Sequence, residues 1–166
     1  MKTTEIYGKR ANLALGLWVK LARATSTFNK LTTEDIRTYG LTEPQFAVLE
    51  CLGHLGPMKL STLSKKMLVS GGNITCVVDN LQKDGLVERV PSKEDRRAIL
   101  VQLTQKGNRM FGEIFVRHAE FVASLSSVLG ESEQRTLSEL LKKLGLSLQK
   151  THEMDKEKNR KTWKRN

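Results

Sequence analysis

Cysteine is scarce in this chain: Cys51 and Cys76 are the only two among 166 residues. Neither has the paired companion of a zinc site, and a disulfide framework would use more of them, so a reducing compartment is expected. Aromatic residues are also few, at 5%. No apolar run approaches the roughly 18 residues that a membrane helix needs. The opening Met1–Arg10 has no charged, apolar, then small-residue order of a secretory leader. A cytoplasmic chain without membrane contact is therefore expected. The three histidines, His54, His118 and His152, lie far apart with no H-x-x-x-H spacing, and no G-x-S-x-G is present. The one glycine-rich stretch, Ser70-Gly71-Gly72-Asn73, lacks the lysine of a phosphate-cradling loop. The expectation is no catalytic residue, no metal, no cofactor and no enzyme.

What the chain does have is positive charge and helical periodicity. There are 28 lysines and arginines against 18 acidic residues, a formal net charge of +10. Such a balance favours polyanionic partners, nucleic acid before membrane surfaces. Leu13, Leu17, Leu21, Ala24 and Phe28 recur at helical spacing, with Trp18 beside them, which predicts a first helix over about 11–30. Thr32-Thr33-Glu34 and Tyr39-Gly40 interrupt the pattern. Thr42 is a good N-cap for a second helix with Pro44 in its first turn, burying Phe46, Leu49, Leu52 and Leu55 and ending at Gly53, Gly56 and Pro57. A short helix carrying Leu60, Leu63 and Met67 follows, with Ser61 as its cap. Ile74, Val77, Val78 and Leu81 then mark another amphipathic helix, from about Asn73 to Lys83, closed by Gly85.

Two β-compatible stretches come next, 86–90 and 98–103, the second with Ile99, Val101 and Leu103 in alternation. The charged tip Lys93-Glu94-Asp95-Arg96-Arg97 joins them. Thr104 can cap a long helix to about Leu129. Gly130 interrupts, and a last helix carries Leu137, Leu140, Leu141, Leu144 and Leu148 as an apolar stripe, followed by a basic tail. The expected fold is mainly α with a small β-hairpin wing: a winged helix-turn-helix lobe over about 42–103, with helices over about 11–38 and 104–148 for dimerisation. Residues 1–150 form a single domain in this reading, and 151–166 a basic C-terminal tail.

Short helix, turn, amphipathic helix and hairpin in that order suit duplex DNA, whose major groove admits one α-helix. With Ile74, Val77, Val78 and Leu81 inward, Gly72, Asn73, Thr75, Cys76, Asp79 and Asn80 face away from the core. Short polar side chains at the start of the helix are what base contacts require. Ser70, Gly71 and Gly72 offer a hydroxyl and open backbone N–H groups where the helix dipole favours a phosphate, or form only a cap and a tight turn. Asp79 either accepts from a cytosine amine or pairs with a neighbouring base-contacting cation. Glu88 and Arg89 read as exposed hairpin residues. At the tip, Lys93, Arg96 and Arg97 suit a narrow minor groove, and Asp95 is close enough in sequence to hold Arg97 in one pose. The rivals are an enzyme, for which no motif speaks, and a winged helix that contacts protein or RNA. RNA readers tend to display stacking aromatics, and this surface has none.

Three stretches carry a family likeness. Residues 40–49, GLTEPQFAVL, resemble the LT-x-x-Q-F-x-x-L opening of the second helix in MarR regulators. Residues 79–89, DNLQKDGLVER, resemble their D-x-L-x-x-x-GLV-x-R passage into the wing. Residues 94–98 followed by Leu103-Thr104-Gln105-Lys106-Gly107 are similar to their D-x-R … LT-x-x-G pattern. The likeness runs from roughly Leu13 to Leu148. It implies a homodimer whose first and last helices interlock, with Leu13, Leu17, Leu137, Leu141, Leu144 and Leu148 at the interface. It also implies a pseudo-palindromic operator, Arg97 in the minor groove oriented by Asp95, and repression relieved by a small, often aromatic or phenolic molecule. Trp18, Tyr39, Phe46, Phe111 and Phe115 are the residues that would line a pocket for it, or else ordinary core aromatics. Some members sense oxidants through a first-helix cysteine, which this chain lacks. Cys76 on the outer face of the recognition helix is then the redox candidate, or a tolerated cysteine with no such role.

Overall fold

In the structure, a computed structural model, residues 7–67, 71–92 and 98–163 are described, with backbone alone for 158–163. They form two compact units, Met1–Val122 and Ala123–Asn166. In the first, α1 (Gly8–Thr38), α2 (Glu43–Leu55), β1 (Met58–Lys59), α3 (Leu60–Lys66), α4 (Gly71–Lys83), β2 (Val87–Pro91) and β3 (Ile99–Leu103) lead into α5 (Gln105–Ser126). The second holds the end of α5 and α6 (Glu131–Trp163). The expectation of a helical chain with a hairpin wing holds. The hairpin belongs to a three-stranded antiparallel sheet of order β1-β3-β2, with Met58 opposite Val101 and Val87 opposite Leu103.

Local chemistry accounts for most boundaries. Thr42 and Gln45 make a capping box at the start of α2, each side chain serving the other's backbone. Gly85 takes φ +69° and turns the chain from α4 into β2. Thr104 Oγ1 accepts from Gly107 N at 3.0 Å and donates to Gly85 O at 2.7 Å, so one hydroxyl caps α5 and ties it to that turn. In the second unit Glu133 accepts from Gly130 N at 2.8 Å, closing the first turn of α6.

Several boundaries differ from the sequence-based expectation. Helix α1 does not stop near Lys30: Thr32 turns its hydroxyl onto the carbonyls of Phe28 and Asn29, and the helix continues to Thr38. Ser61 is not the cap of α3, which starts from Lys59 without a side-chain cap. Helix α4 starts at Gly71, two residues earlier than expected. Helix α5 ends at Ser126, and α6 runs on through Trp163, well past the last stripe leucine. Strand β1 is too short to show a period in sequence. Leu55, expected on the buried face of α2, is exposed, since it sits at the outer end of the helix. The core of the first unit gathers Phe46, Val48, Leu49 and Leu52 of α2, Leu63 of α3, Ile74, Val78 and Leu81 of α4, Val87 and Val101 of the sheet, and Ile114 of α5.

Candidate nucleic-acid interface

Helix α4 has a sharply divided surface. Ile74, Val78 and Leu81 are buried in the core, while Gly72, Asn73, Cys76 and Asn80 are exposed and Thr75 is half-buried. Asn80 Nδ2 donates toward Cys76 Sγ at 4.0 Å, one turn apart on the exposed face. No acidic residue stands in the first turn, so the helix dipole there is left free to attract an anion. Gly71 opens the helix. Ser70 lies outside the described residues, as do Lys93, Asp95, Arg96 and Arg97 of the hairpin tip. Their two anchor points are described: Ser92 N donates to Ala98 O at 2.8 Å, which closes the hairpin beneath the tip.

The joint between α4 and the hairpin contains a contact that sequence patterns do not show. Arg89 on β2 reaches across to α4, with Nη2 2.6 Å from Asp79 Oδ1 and Nη1 donating to Gln82 Oε1 at 2.6 Å. Asp79 thus pairs with a strand residue, and Arg89 is a clamp rather than an exposed hairpin side chain. A planar guanidinium suits this two-partner geometry better than an ammonium would. Beside it, Glu88 accepts from Gln102 Nε2 at 2.8 Å across the strands. On the far side of the turn, Lys106 Nζ donates to Asp84 O at 2.7 Å. The α5 backbone comes so close that a Cβ on Gly107 would lie 2.0 Å from Leu86 O. Helix, hairpin and the start of α5 are thereby held as one piece.

The five aromatics expected around a pocket fall into separate contacts. Phe111 and Phe115 lie against each other with ring centroids 5.2 Å apart, and both meet His54 edge-on. Phe46 is buried with its ring 4.6 Å from His118. His118 Nδ1 in turn lies 2.7 Å from Asp35 Oδ2, and the Tyr39 hydroxyl donates to Asp35 Oδ1 at 3.1 Å beneath the Arg117 guanidinium. Burial, then the bond to Asp35 and its charge, raise the Tyr39 pKa above 10.0, against the opposing pull of Arg117. Trp18 is 65% exposed, about 25 Å further up α1 from Asp35 by helical rise.

A cleft of about 380 Å³ opens beside Ala47, Glu50, Cys51, His54, Leu55, Lys66 and Met67. Burial first, and the Glu50 charge after it, push the Cys51 thiol up from 9.0, while Lys66 pulls it down. Asp35, His54 and His118 carry no signal in the sequence, because no local spacing links residues as far apart as Asp35 and His118. Among the described residues no group of three or more His, Cys, Asp or Glu side chains could hold a metal ion. No helix among them is long and apolar enough to cross a membrane.

Comparison with known proteins bears on this geometry. Residues 41–99 match the MarR family. The chain is 37% identical over 139 residues to the HTH-type transcriptional regulator MhqR of Bacillus subtilis, covering 84% of this chain and 96% of that one. Among solved structures it is similar to a mutant MarR from E. coli complexed with operator DNA, with a TM-score of 0.70 and 28% identity over 80% of this chain and 96% of that one. It also shares its fold with NadR, solved in complex with 4-hydroxyphenylacetate, with a TM-score of 0.66 and 22% identity over 87% of this chain and 97% of that one.

Proposed function

The chain belongs to the MarR family of DNA-binding transcription regulators and is not an enzyme, and from that premise we propose that it reads a pseudo-palindromic operator as a homodimer. The observation that carries this reading is the divided surface of α4, clamped to the hairpin through Asp79 and Arg89. A recognition helix held at a fixed distance from a wing can address a major and a neighbouring minor groove together. Residues 42–103 are the DNA-reading lobe, and 11–38 with 104–148 the dimerisation helices of one domain spanning 1–150. Ser70, Gly71 and Gly72 face phosphate, while Asn73, Thr75, Cys76 and Asn80 face base edges. Lys93, Arg96 and Arg97 enter the minor groove, with Asp95 orienting Arg97. The similar E. coli MarR was solved in complex with operator DNA, which supports duplex DNA as the partner.

Leu13, Leu17, Leu137, Leu141 and Leu148 are exposed in the single chain and Leu144 half-exposed, an arrangement that favours a partner surface. A two-fold dimer sets the two recognition helices about one helical turn of DNA apart. The regulator represses, and a small aromatic or phenolic molecule releases it by binding one lobe spacing more tightly than the other. NadR, which shares the fold, binds a phenolic acid. Trp18, Tyr39, Phe46, Phe111 and Phe115 are the aromatic candidates for contact with such a ligand, Trp18 standing apart from the other four on α1. An oxidant signal acts through Cys76, whose exposed thiol sits on the face that enters the groove. Release by peroxide or quinone that survives Cys76→Ser would end the oxidant part.

Selection from a random double-stranded library tests the whole. An enriched inverted repeat with half-sites about 10 bp apart is expected. A pool without any enriched motif, from a folded dimer at moderate salt, would overturn the operator reading. Arg97→Ala is expected to weaken operator binding by about 1–3 kcal/mol and to relax preference at the minor-groove position. Unchanged binding by that variant removes the wing from recognition.

A further inference from the structure

Sulfur gathers in one corner of the first unit, and DNA reading makes no use of it. The chain has two cysteines and five methionines. Cys51 of α2 and Met67 at the end of α3 both line the cleft of about 380 Å³. Met58 of β1, buried next to Cys51, accepts from its thiol, with Sγ and Sδ 3.9 Å apart. His54 lines the same cleft, three residues after Cys51 on α2. Residues at that spacing share a helix face, with Cβ atoms about 5–6 Å apart. Phe111 and Phe115 meet the His54 ring edge-on, at centroid distances of 5.2 and 4.5 Å, and so fix its plane.

The sulfur pair has the spacing of two ligands on one ion. Sulfurs each about 2.3 Å from a shared metal stand roughly 3.8–4.0 Å apart when the angle between them is tetrahedral to trigonal. As packing, the contact is only a weak S–H bond. Charge and softness select the ion. Glu50 and Lys66 line the cleft with opposite signs, so a Cys51 thiolate is the one charge left to balance, and a monovalent cation balances it. Thiolate and thioether are soft ligands that suit Cu(I). Among the described residues no three His, Cys, Asp or Glu side chains could hold a metal together. A hard or borderline ion therefore has too few partners here, whereas the Met58 thioether completes the set for a soft one.

We propose that Cys51 Sγ, Met58 Sδ and the His54 imidazole form a three-coordinate site for a soft monovalent cation of the Cu(I) class. On binding, the thiol proton leaves to solvent and the cation takes its place between the two sulfurs. The ion keeps its oxidation state, so no oxidant or reductant is consumed. It ties α2 to β1 within the first unit. The site stands independently of operator reading.

The test uses the full chain, without oxygen, in competition with bicinchoninate for Cu(I). The colour of the bicinchoninate complex reports how much copper the protein removes. Cys76→Ser takes away the exposed thiol and leaves Cys51 as the one cysteine. That chain is expected to bind one Cu(I) per chain. Cys51→Ser, which keeps only Cys76, is expected to bind at least about tenfold more weakly. In the Cys76→Ser background, Met58→Leu and His54→Gln should each weaken Cu(I) by at least the roughly tenfold that loss of an orienting neighbour costs a metal site. Leucine conserves the volume of methionine, and circular dichroism checks that every variant folds. Equal affinity of the two single-cysteine chains overturns the proposal, because any exposed thiol would then do as well. So does unchanged affinity in either Met58→Leu or His54→Gln, since the ion would not be held by the proposed set. Displacement of Cu(I) by an equal concentration of Zn(II) also overturns it, because a soft monovalent site would not prefer the borderline ion.

Discussion

Two cysteines show how position decides chemistry at the residue scale. Cys76 is exposed on α4, whereas Cys51 is half-buried with its Sγ 3.9 Å from Met58 Sδ and its pKa raised by burial. A thiol reacts as its thiolate, so burial should slow Cys51. Iodoacetamide at mildly alkaline pH is expected to alkylate Cys76 several-fold faster, read by peptide mass spectrometry. Raising the pH past 9.0 should bring Cys51 up later than a free thiol. The sign follows for stability as well. An acid whose folded pKa is raised keeps its contribution below the unfolded value and loses it as pH climbs through the folded one. Cys51 and Tyr39 thus both predict weakening on the alkaline side. Equal alkylation rates at the two sites would contradict the burial of Cys51. Arg89 makes a second case. Its pair with Asp79 is partly exposed, at 29% and 46%, so Arg89→Ala should cost about 1 kcal/mol in urea unfolding. Arg89→Lys should not restore it, because an ammonium cannot fork to both Asp79 and Gln82.

Elements are held to one another at a few backbone contacts. The joint of α4, β2 and α5 depends on a residue with no side chain, since any Cβ at Gly107 would meet the carbonyl of Leu86. A backbone oxygen cannot swing aside as a side-chain end can. Gly107→Ala is therefore expected to destabilise the chain by roughly 2 kcal/mol or more, and to loosen the hairpin against α4. Gly53 has a comparable crowding, but there the neighbour is the ring of Phe111, the half-buried end of a side chain and not a backbone atom. Thermal unfolding of the two alanine variants should rank Gly107 as the more costly. The reverse order would mean that α5 is free to slide along the turn.

For the whole molecule, charge and exposed apolar surface point to two kinds of partner. The leucines of α6, and Leu13 at 78% exposure on α1, are open in the single chain, as the proposed dimer requires. Leu141→Asp with Leu144→Asp is expected to convert a dimer to a monomer in sedimentation and to abolish high-affinity binding to a two-half-site operator. A variant that remained dimeric would move the interface away from the α6 stripe. The excess of positive charge acts over a longer range and carries no sequence information, so it sets how tightly any duplex is held rather than which one.

Much of the fold is legible in the order of the amino acids. Helical periodicity marks α2, α4 and α6, Thr42 and Gly85 mark helix ends, and alternation marks the second strand of the wing. All of these depend on neighbours within a turn or two, which is the range over which a sequence pattern speaks. The divided surface of α4 follows from four apolar positions alone. The tertiary structure decides what depends on distance along the chain. It pairs Arg89 with Asp79, seats Gly107 under Leu86, brings Asp35 of α1 against His118 of α5, and adds the two-residue β1 to the sheet. Helix α1 runs on to Thr38 through Thr32, whose hydroxyl bonds back to the carbonyls of Phe28 and Asn29. No local periodicity encodes such pairings, because they form only when the chain between the partners has folded.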